Sequence, residues 1–230
     1  MADEALVSAV AVLAEPTRRA LYDFVARQTS PVSRDEAAAA VGVPRNTAAF
    51  HLDRLADEGL LTVDHERRTG RSGPGAGRPA KLYRRSSQQI TVTLPERRYA
   101  LIGELLAAAV EEAERTGESA RAVLDRRAEE LGNRLGHEAR RARPAGSGDD
   151  PVVAALEDNG FEPRVAGDSI VLGNCPFHDM ARRHPALVCG MNLRLVEGML
   201  DGLAVSGVGA ALAPGPDRCC VRLERAEPAG

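Results

Sequence analysis

The most constraining feature of the sequence is a pair of short helices, joined by a glycine turn, in its first quarter. Ser33 and Glu36 have the spacing of a capping box, in which each side chain bonds the other residue's backbone N–H ahead of an apolar run. Gly42 ends that helix, Pro44 opens the next one, and Gly59 stops it. Two short helices around a glycine turn predict a helix-turn-helix.

The segment that follows predicts a basic wing. Strand candidates at residues 60–65 and 80–84 flank a loop rich in glycine and proline. From His65 to Arg85 there are seven basic residues and one acidic residue, in a chain of net charge −3. A charge run is often only a solvated loop, but its place after a helix-turn-helix favours contact with DNA phosphates or the minor groove. The predicted contact residues of the wing are Arg67, Arg68, Arg71, Arg78 and Lys81.

The helix after Pro44 divides into an apolar and a polar face. Ala48, Leu52 and Leu55 are spaced to pack inward, which turns the early polar positions outward, where a recognition helix meets base edges. The predicted contacts are Arg45, Asn46 and Phe50 for bases and Thr47, His51 and Arg54 for phosphates. Two alternatives stay open: Phe50 packs against the wing, and His51 is a structural hydrogen-bonding residue.

Beyond the wing the pattern predicts an α+β chain in three parts. A capping box from Thr93 to Glu96 and a cap at Ser119 predict two helices, either dimer-forming or interdomain, with a local helical hairpin as the alternative. A polar linker at residues 142–150 precedes a small α+β domain that includes a long helix at 185–203. The predicted domains are a winged helix-turn-helix at 1–88, linker or dimerisation helices at 89–142, and a cysteine-containing sensor domain at 150–226.

Composition narrows the class of protein. Aromatic residues make up 3% of the chain, so an aromatic platform for single-stranded nucleic acid is not expected. No apolar run is long enough for a membrane span, and the first residues do not resemble a secretory signal, so a cytoplasmic protein with no membrane partner is expected. All 4 cysteines lie in the last quarter, which in a reducing compartment favours metal binding or redox chemistry over disulfides.

Three segments of the N-terminal part carry a family resemblance. Residues 13–21 and 51–60 resemble ArsR-like winged-helix repressors, and residues 77–83 are similar to the wing of the SufR branch, which senses iron–sulfur clusters. The resemblance covers about residues 8–85. It implies a homodimer that binds a palindromic operator in double-stranded DNA.

The resemblance extends to the cysteines. SufR-like repressors carry an Asn-Cys-Pro-Phe/Tyr element, a helix cysteine and later cysteines; here the element is Asn174 to Phe177, followed by Cys189 and Cys219. The family's third cysteine is absent, since residues 202–204 contain none. His178 is the candidate for the vacant position, because its spacing from Cys175 lets one loop present both ligands.

The predicted ligand set is therefore Cys175, His178, Cys189 and Cys219, and it suits two cofactors. It satisfies tetrahedral Zn²⁺, and it also suits an iron–sulfur cluster (4Fe-4S or 2Fe-2S) with the histidine, an exogenous ligand or an open position at the last iron. Regular strand alternation would turn Cys219 inward and leave Cys220 as a bystander or as half of a vicinal dithiol. Cys189 could alternatively be a small apolar core residue.

Three functions follow from these patterns. The favoured one is a transcription repressor whose C-terminal domain binds an iron–sulfur cluster and adjusts operator binding to redox or iron–sulfur status. The alternative keeps the winged helix, with a structural or sensory zinc site and a different effector. An enzyme with a cysteine nucleophile activated by His178 is not favoured, because the sequence offers no orienting third group or oxyanion element.

Overall fold

The structure, a computed structural model, describes residues 4–66, 80–143, 150–215 and 218–225. It divides into two compact units, Ala2–Val92 and Thr93–Gly230. None of the helices within these ranges is both long and apolar enough to cross a membrane.

The N-terminal unit is a helical bundle backed by a small antiparallel sheet in the order β1-β3-β2. Its elements are α1 (Glu4–Ala11), a 3₁₀ turn (Val12–Ala14), α2 (Pro16–Ala26), β1 (Val32–Ser33), α3 (Arg34–Val41), α4 (Arg45–Asp57), β2 (Leu61–Glu66) and β3 (Ala80–Arg85). The predicted helix-turn-helix is α3 and α4, and β2 pairs with β3 as the predicted hairpin. Strand β1 was not predicted.

Local signals set the ends of these helices as the sequence predicts. Both hydrogen bonds of the capping box between Ser33 and Glu36 are present at the start of α3. Gly42 ends α3 with a φ of 75°, a left-handed conformation that glycine adopts without steric cost. The core beneath α3 and α4 contains Leu21, Leu52 and Leu55, each with 0% exposure.

The C-terminal unit packs helices on an antiparallel sheet in the order β4-β5-β7-β6. Its elements are α5 (Tyr99–Thr116), α6 (Ala120–Ala142), α7 (Pro151–Asp158), β4 (Pro163–Ala166), β5 (Ser169–Leu172), α8 (His178–Arg183), α9 (Pro185–Leu203), β6 (Val208–Leu212) and β7 (Val221–Arg225). Ser119 caps α6 as predicted. Helix α8 was not predicted.

Helices α6 and α9 meet at their backbones through four glycines. A Cβ on Gly132 would overlap the carbonyl oxygen of Leu195, and one on Gly136 would overlap that of Met199. The reverse holds for Gly198 and Gly202, which face carbonyl groups of α6. The helix predicted as a linker thus packs against the long helix of the cysteine-containing part, inside one compact unit. A role of α5 and α6 in dimerisation stays a prediction.

The helix predicted from Thr93 was placed too early. Helix α5 begins at Tyr99, and the Thr93 hydroxyl accepts a hydrogen bond from the N–H of Arg97 rather than from that of Glu96. The Glu96 side chain instead accepts from Arg98, whose own N–H donates to the carbonyl of Pro176. Contacts with distant residues therefore override the local capping signal.

Candidate DNA-binding surface and cysteine cavity

Helix α4 turns the predicted base-contacting residues to solvent. Arg45 and Asn46 are exposed, and Phe50 is 65% exposed among the described residues; the tip of the wing lies outside those residues, so packing of Phe50 against it stays an alternative. Ala48, Leu52 and Leu55 are fully buried on the other face. The surface has a partly exposed guanidinium, an amide and an aromatic ring near the helix N-terminus, the types of group that major-groove readout uses.

Both arginines of α4 among the predicted DNA contacts pair with acidic residues of the same unit. Arg45 pairs with Asp35 of α3, and Arg54 Nη2 lies 2.6 Å from a carboxylate oxygen of Glu58. Both arginines are about half exposed, so these pairs contribute little to stability. A DNA phosphate or guanine would have to compete with the carboxylates, which lowers the net gain from each arginine.

Asp53 links the recognition helix to the wing strand. Its Oδ1 accepts hydrogen bonds from Lys81 Nζ at 2.8 Å and from the Tyr83 hydroxyl at 2.7 Å. Burial alone would raise the pKa of Asp53, but these two hydrogen bonds and the positive charges of Lys81 and Arg34 together outweigh it and hold the pKa below its usual range. Burial and the same carboxylate raise the pKa of Tyr83. Lys81 thus orients β3 against α4, besides being a predicted phosphate contact.

His51 is engaged inside the N-terminal unit. Its Nδ1 accepts a hydrogen bond from Arg18 Nε at 3.3 Å, and its Nε2 lies 3.7 Å from Glu15, which caps α2. With 12% of its side chain exposed, His51 fits the structural alternative raised by the sequence. Thr47 is half-buried beside it. Contacts of either residue with phosphate stay predictions.

The remaining wing contacts fall at Arg67, Arg68, Arg71 and Arg78, all of which lie outside the residues that the structure describes. Their proposed role rests on the sequence alone.

In the C-terminal unit, the predicted ligands converge on one cavity. Its volume is about 510 Å³, and its wall includes all four cysteines, His178, Arg182 and Arg218. Cys175 and His178 come from the β5–α8 connection and the start of α8, Cys189 comes from α9, and Cys219 and Cys220 precede β7. Positions up to 45 residues apart in the sequence thus reach one place.

Cys175 and Cys219 form the buried end of this cavity, with 5% and 2% exposure. Their mutual hydrogen bond, with burial, raises the pKa of Cys175. The contact with Cys175 lowers the pKa of Cys219, but a hydrogen bond with Cys220 and burial outweigh it and raise that pKa to about 12. Both groups are therefore protonated thiols at neutral pH in the metal-free chain.

Asn192 adds a polar group that the sequence analysis missed. It lies on α9, is 0% exposed, and donates from Nδ2 to the Cys219 sulfur at 3.2 Å. Its Oδ1 is buried without a hydrogen-bond partner among the described residues. Such donors to ligating sulfurs tune iron–sulfur sites. An asparagine three positions after Cys189, on the helical stripe formed by the apolar Val188 and Val196, is the signal that could have identified it.

The donor set suits a thiolate-bound group, although the ligands are not gathered around one point. Among the described residues, no three His, Cys, Asp or Glu side chains lie close enough together to hold a single ion. The thiols are instead distributed around a space many times the roughly 30 Å³ share of one water molecule.

One detail of the cysteine prediction is wrong. The strand does not begin at Cys219, because β7 starts only at Val221. The predicted alternation is nevertheless present, since Cys219 and Val221 are buried while Cys220 between them is half-buried. The N–H of Cys219 donates to Leu172, and the carbonyl of Cys220 accepts from Ala213. This irregular backbone lets both cysteines line the same cavity, with Cys219 buried and Cys220 half-buried.

Residues 13–64 match the family described as a helix-turn-helix domain. The match covers α2, α3, α4 and most of β2, and it confirms the predicted helix-turn-helix. It supports a DNA-binding regulator, a class that is typically non-enzymatic. It spans less than a quarter of the chain and does not reach the cysteine cavity. No curated protein and no solved structure was found to match.

Proposed function

We propose that this chain is a homodimeric transcription repressor, similar to the SufR branch, whose C-terminal unit binds an iron–sulfur cluster and thereby changes its affinity for a palindromic operator. The observation that carries the proposal is the convergence of four cysteines and His178 on one cavity in a chain with a helix-turn-helix domain.

Recognition of DNA is assigned to α4 and the wing. Asn46 is suited to adenine and Arg45 to guanine, and the exposed Phe50 ring can meet a thymine methyl group. Lys81 and the basic loop before it supply phosphate contacts, which position the helix and make binding sensitive to salt. Asp53 contributes indirectly by fixing the angle between α4 and β3.

The cluster would be held by Cys175, Cys189 and Cys219, with His178, an exogenous ligand or an open position at the last iron. When bound, it supplies a one-electron redox centre that oxidants can also destroy. The chain's residues release thiol protons on binding, hydrogen-bond one sulfur through Asn192, and surround the anionic group with Arg182 and Arg218. Loss or oxidation of the cluster would then remove the bonds that hold the cysteine-bearing loop, α9 and the segment before β7 together, and these elements could shift.

Elemental analysis of protein purified without oxygen is the first test. The proposal predicts iron and acid-labile sulfide in a coloured protein. The alternative, a zinc regulator with a different effector, is favoured by the position of His178 on the cavity wall and predicts a colourless protein with stoichiometric zinc. A protein with neither metal would contradict both.

Operator binding tests whether the site is sensory. A DNA duplex would be selected from a random-sequence pool with anaerobic protein and with metal-free protein, and gel shifts would compare wild type with Cys175→Ala. We expect Cys175→Ala to lose the difference between the loaded and metal-free states. Ser169→Ala, a change of similar size at a half-buried position of β5 that does not line the cavity, is the matched control and should retain it. Equal affinities of wild type and Cys175→Ala in both states would contradict sensing.

A further inference from the structure

A short segment at the start of the C-terminal unit contacts two of the elements that carry the candidate ligands, the loop with Cys175 and helix α8 with His178. We name residues 93–99 the anchor segment; it joins the last residue of the N-terminal unit, Val92, to the body of α5. Through these contacts, the anchor segment connects the cysteine-bearing loop and α8 to the chain that leads into the N-terminal unit.

Asn174, the residue before Cys175, makes the first link. Its buried side chain accepts a hydrogen bond from Arg97 and donates through Nδ2 to the Glu96 carbonyl at 3.1 Å. The same amide donates to the Gly160 carbonyl at 2.7 Å, so the side chain is fully engaged. One backbone hydrogen bond joins the same two segments, since the N–H of Arg98 donates to the Pro176 carbonyl at 3.0 Å.

Tyr99 makes the second link. Its hydroxyl donates to Asp179 Oδ2 at 3.0 Å, and Asp179 is the residue after His178 at the start of α8. The neighbours of two candidate ligands, one on each side of the loop, thus bond to residues 96–99. A displacement of the loop or of α8 would therefore strain several hydrogen bonds of the anchor segment at once.

The other side of this segment is attached directly to the DNA-binding unit. Ile90 packs on the core of the N-terminal unit, and Thr93 already belongs to the C-terminal unit. Only two residues separate Ile90 from Thr93, so the covalent connection between the two units is short. A displacement of residues 93–99 therefore acts on the chain close to the N-terminal core.

We propose that Asn174, Arg97 and Tyr99 are positioning residues that transmit occupancy of the cysteine cavity to the DNA-binding unit through the anchor segment. The proposal rests on the proposed function, because it requires a group that binds in the cavity. It adds the route by which that group acts: the ligand-bearing loop moves, and its hydrogen bonds move residues 93–99.

The test is amide hydrogen exchange, followed by mass spectrometry, on the full-length protein before and after anaerobic reconstitution with ferrous iron and sulfide. In wild type we expect loading to change exchange across residues 93–99 by about tenfold, the effect of making or losing one buried hydrogen bond. Asn174→Ala and the milder Tyr99→Phe should reduce that difference while iron and sulfide contents stay at the wild-type level.

Asn159→Ala is the matched control. Asn159 is also buried and accepts from Arg98 at 3.2 Å, but it lies at the end of α7, and its amide donates to the carbonyl of Ala155 rather than to the cysteine loop or α8. Its removal loosens the anchor segment without cutting either link, so the response to loading should remain. An unchanged response in Asn174→Ala, or a loss of response that follows a loss of iron, would overturn the proposal.

Failure of the proposed function has a different signature, because wild type would then take up no iron and no sulfide. The contact between Asn174 and residues 96–97 is tested in metal-free protein. There, Asn174→Ala should accelerate amide exchange across residues 93–99 by about tenfold relative to wild type. Exchange at the wild-type rate in that variant would overturn the link, whatever the cavity binds.

Discussion

Phe50 and Phe177 each lie beside candidate functional residues, but Phe50 is 65% exposed on the N-terminal unit and Phe177 is 1% exposed in the C-terminal unit. In the N-terminal unit, the proposed base-contacting residues lie on the surface and are not part of the hydrophobic core. The C-terminal unit builds its proposed ligands into the core, since Cys175 and Cys219 belong to the same apolar cluster as Phe177. Binding and stability should therefore separate in the first unit and be coupled in the second.

The largest effect is expected from the two phenylalanines themselves. Phe177→Ala should lower the free energy of unfolding by about 3–5 kcal/mol, because it removes a fully buried ring and leaves a cavity. Phe50→Ala should change it by less than about 0.5 kcal/mol. Urea unfolding followed by circular dichroism measures both. Similar losses in the two variants would break the comparison.

A smaller effect is expected at the contact between α6 and α9. Gly198→Ala places a methyl group against the backbone of Glu129, so we expect a loss of about 3 kcal/mol in the same unfolding experiment. Gly103→Ala is the matched control, because nothing lies near its Cβ on the exposed face of α5. That variant should gain about 0.5–1 kcal/mol from helix propensity. A neutral Gly198→Ala would mean that the two helices can separate freely.

In the N-terminal unit, Asn46→Ala should act on binding alone. We expect a loss of about 1–3 kcal/mol in affinity for the selected duplex, the range for one base-specific contact, with stability unchanged within about 0.5 kcal/mol. Fluorescence anisotropy measures the affinity. Gln28→Ala, at an exposed polar position after α2, should bind like wild type. An equal loss of affinity in both variants would show that Asn46 does not make a base-specific contact.

The smallest effect concerns pH. Because the pKa of Asp53 is lowered in the folded state, its contribution is present above the unfolded value of about 3.9 and is lost as pH falls through the folded pKa. The pair with Lys81 is partly exposed, so we expect only a few tenths of a kcal/mol. Asp53→Asn should flatten the acid limb of the stability curve by about that amount. Asp57→Asn, at an exposed position on the same helix, is the control, and an identical flattening there would contradict this assignment.

The sequence predicts the N-terminal unit well because its signals are local. The capping box at Ser33, the left-handed turn at Gly42 and the spacing of Leu52 and Leu55 each act within one or two helical turns. The misplaced start of α5 shows the limit of such signals. There the same type of motif is overridden by bonds to Pro176 and Asn174, nearly 80 residues away in the sequence.

The candidate site in the C-terminal unit was predictable in residue type but not in geometry. The clustering of cysteines in the last quarter indicated a common site, and the structure brings all four to one cavity. The irregular backbone at Cys219 and Cys220 and the role of Asn192 depend on packing between α9 and the sheet. The hydrophobic periodicity of each segment does not predict how α9 packs against the sheet.

The pairing of Lys81 with Asp53 also provides an experimental handle. Lys81 is the only lysine in the chain, since the other 29 of its 30 basic residues are arginines. Its side chain is 43% exposed. An amine-reactive reagent would therefore modify one known side chain, at the edge of the proposed DNA-binding surface, apart from the terminal amine. DNA bound against β3 should protect Lys81 from this reagent. The extent of labelling, measured as a single mass shift with and without DNA, therefore reports whether DNA covers this strand, and no engineered residue is needed.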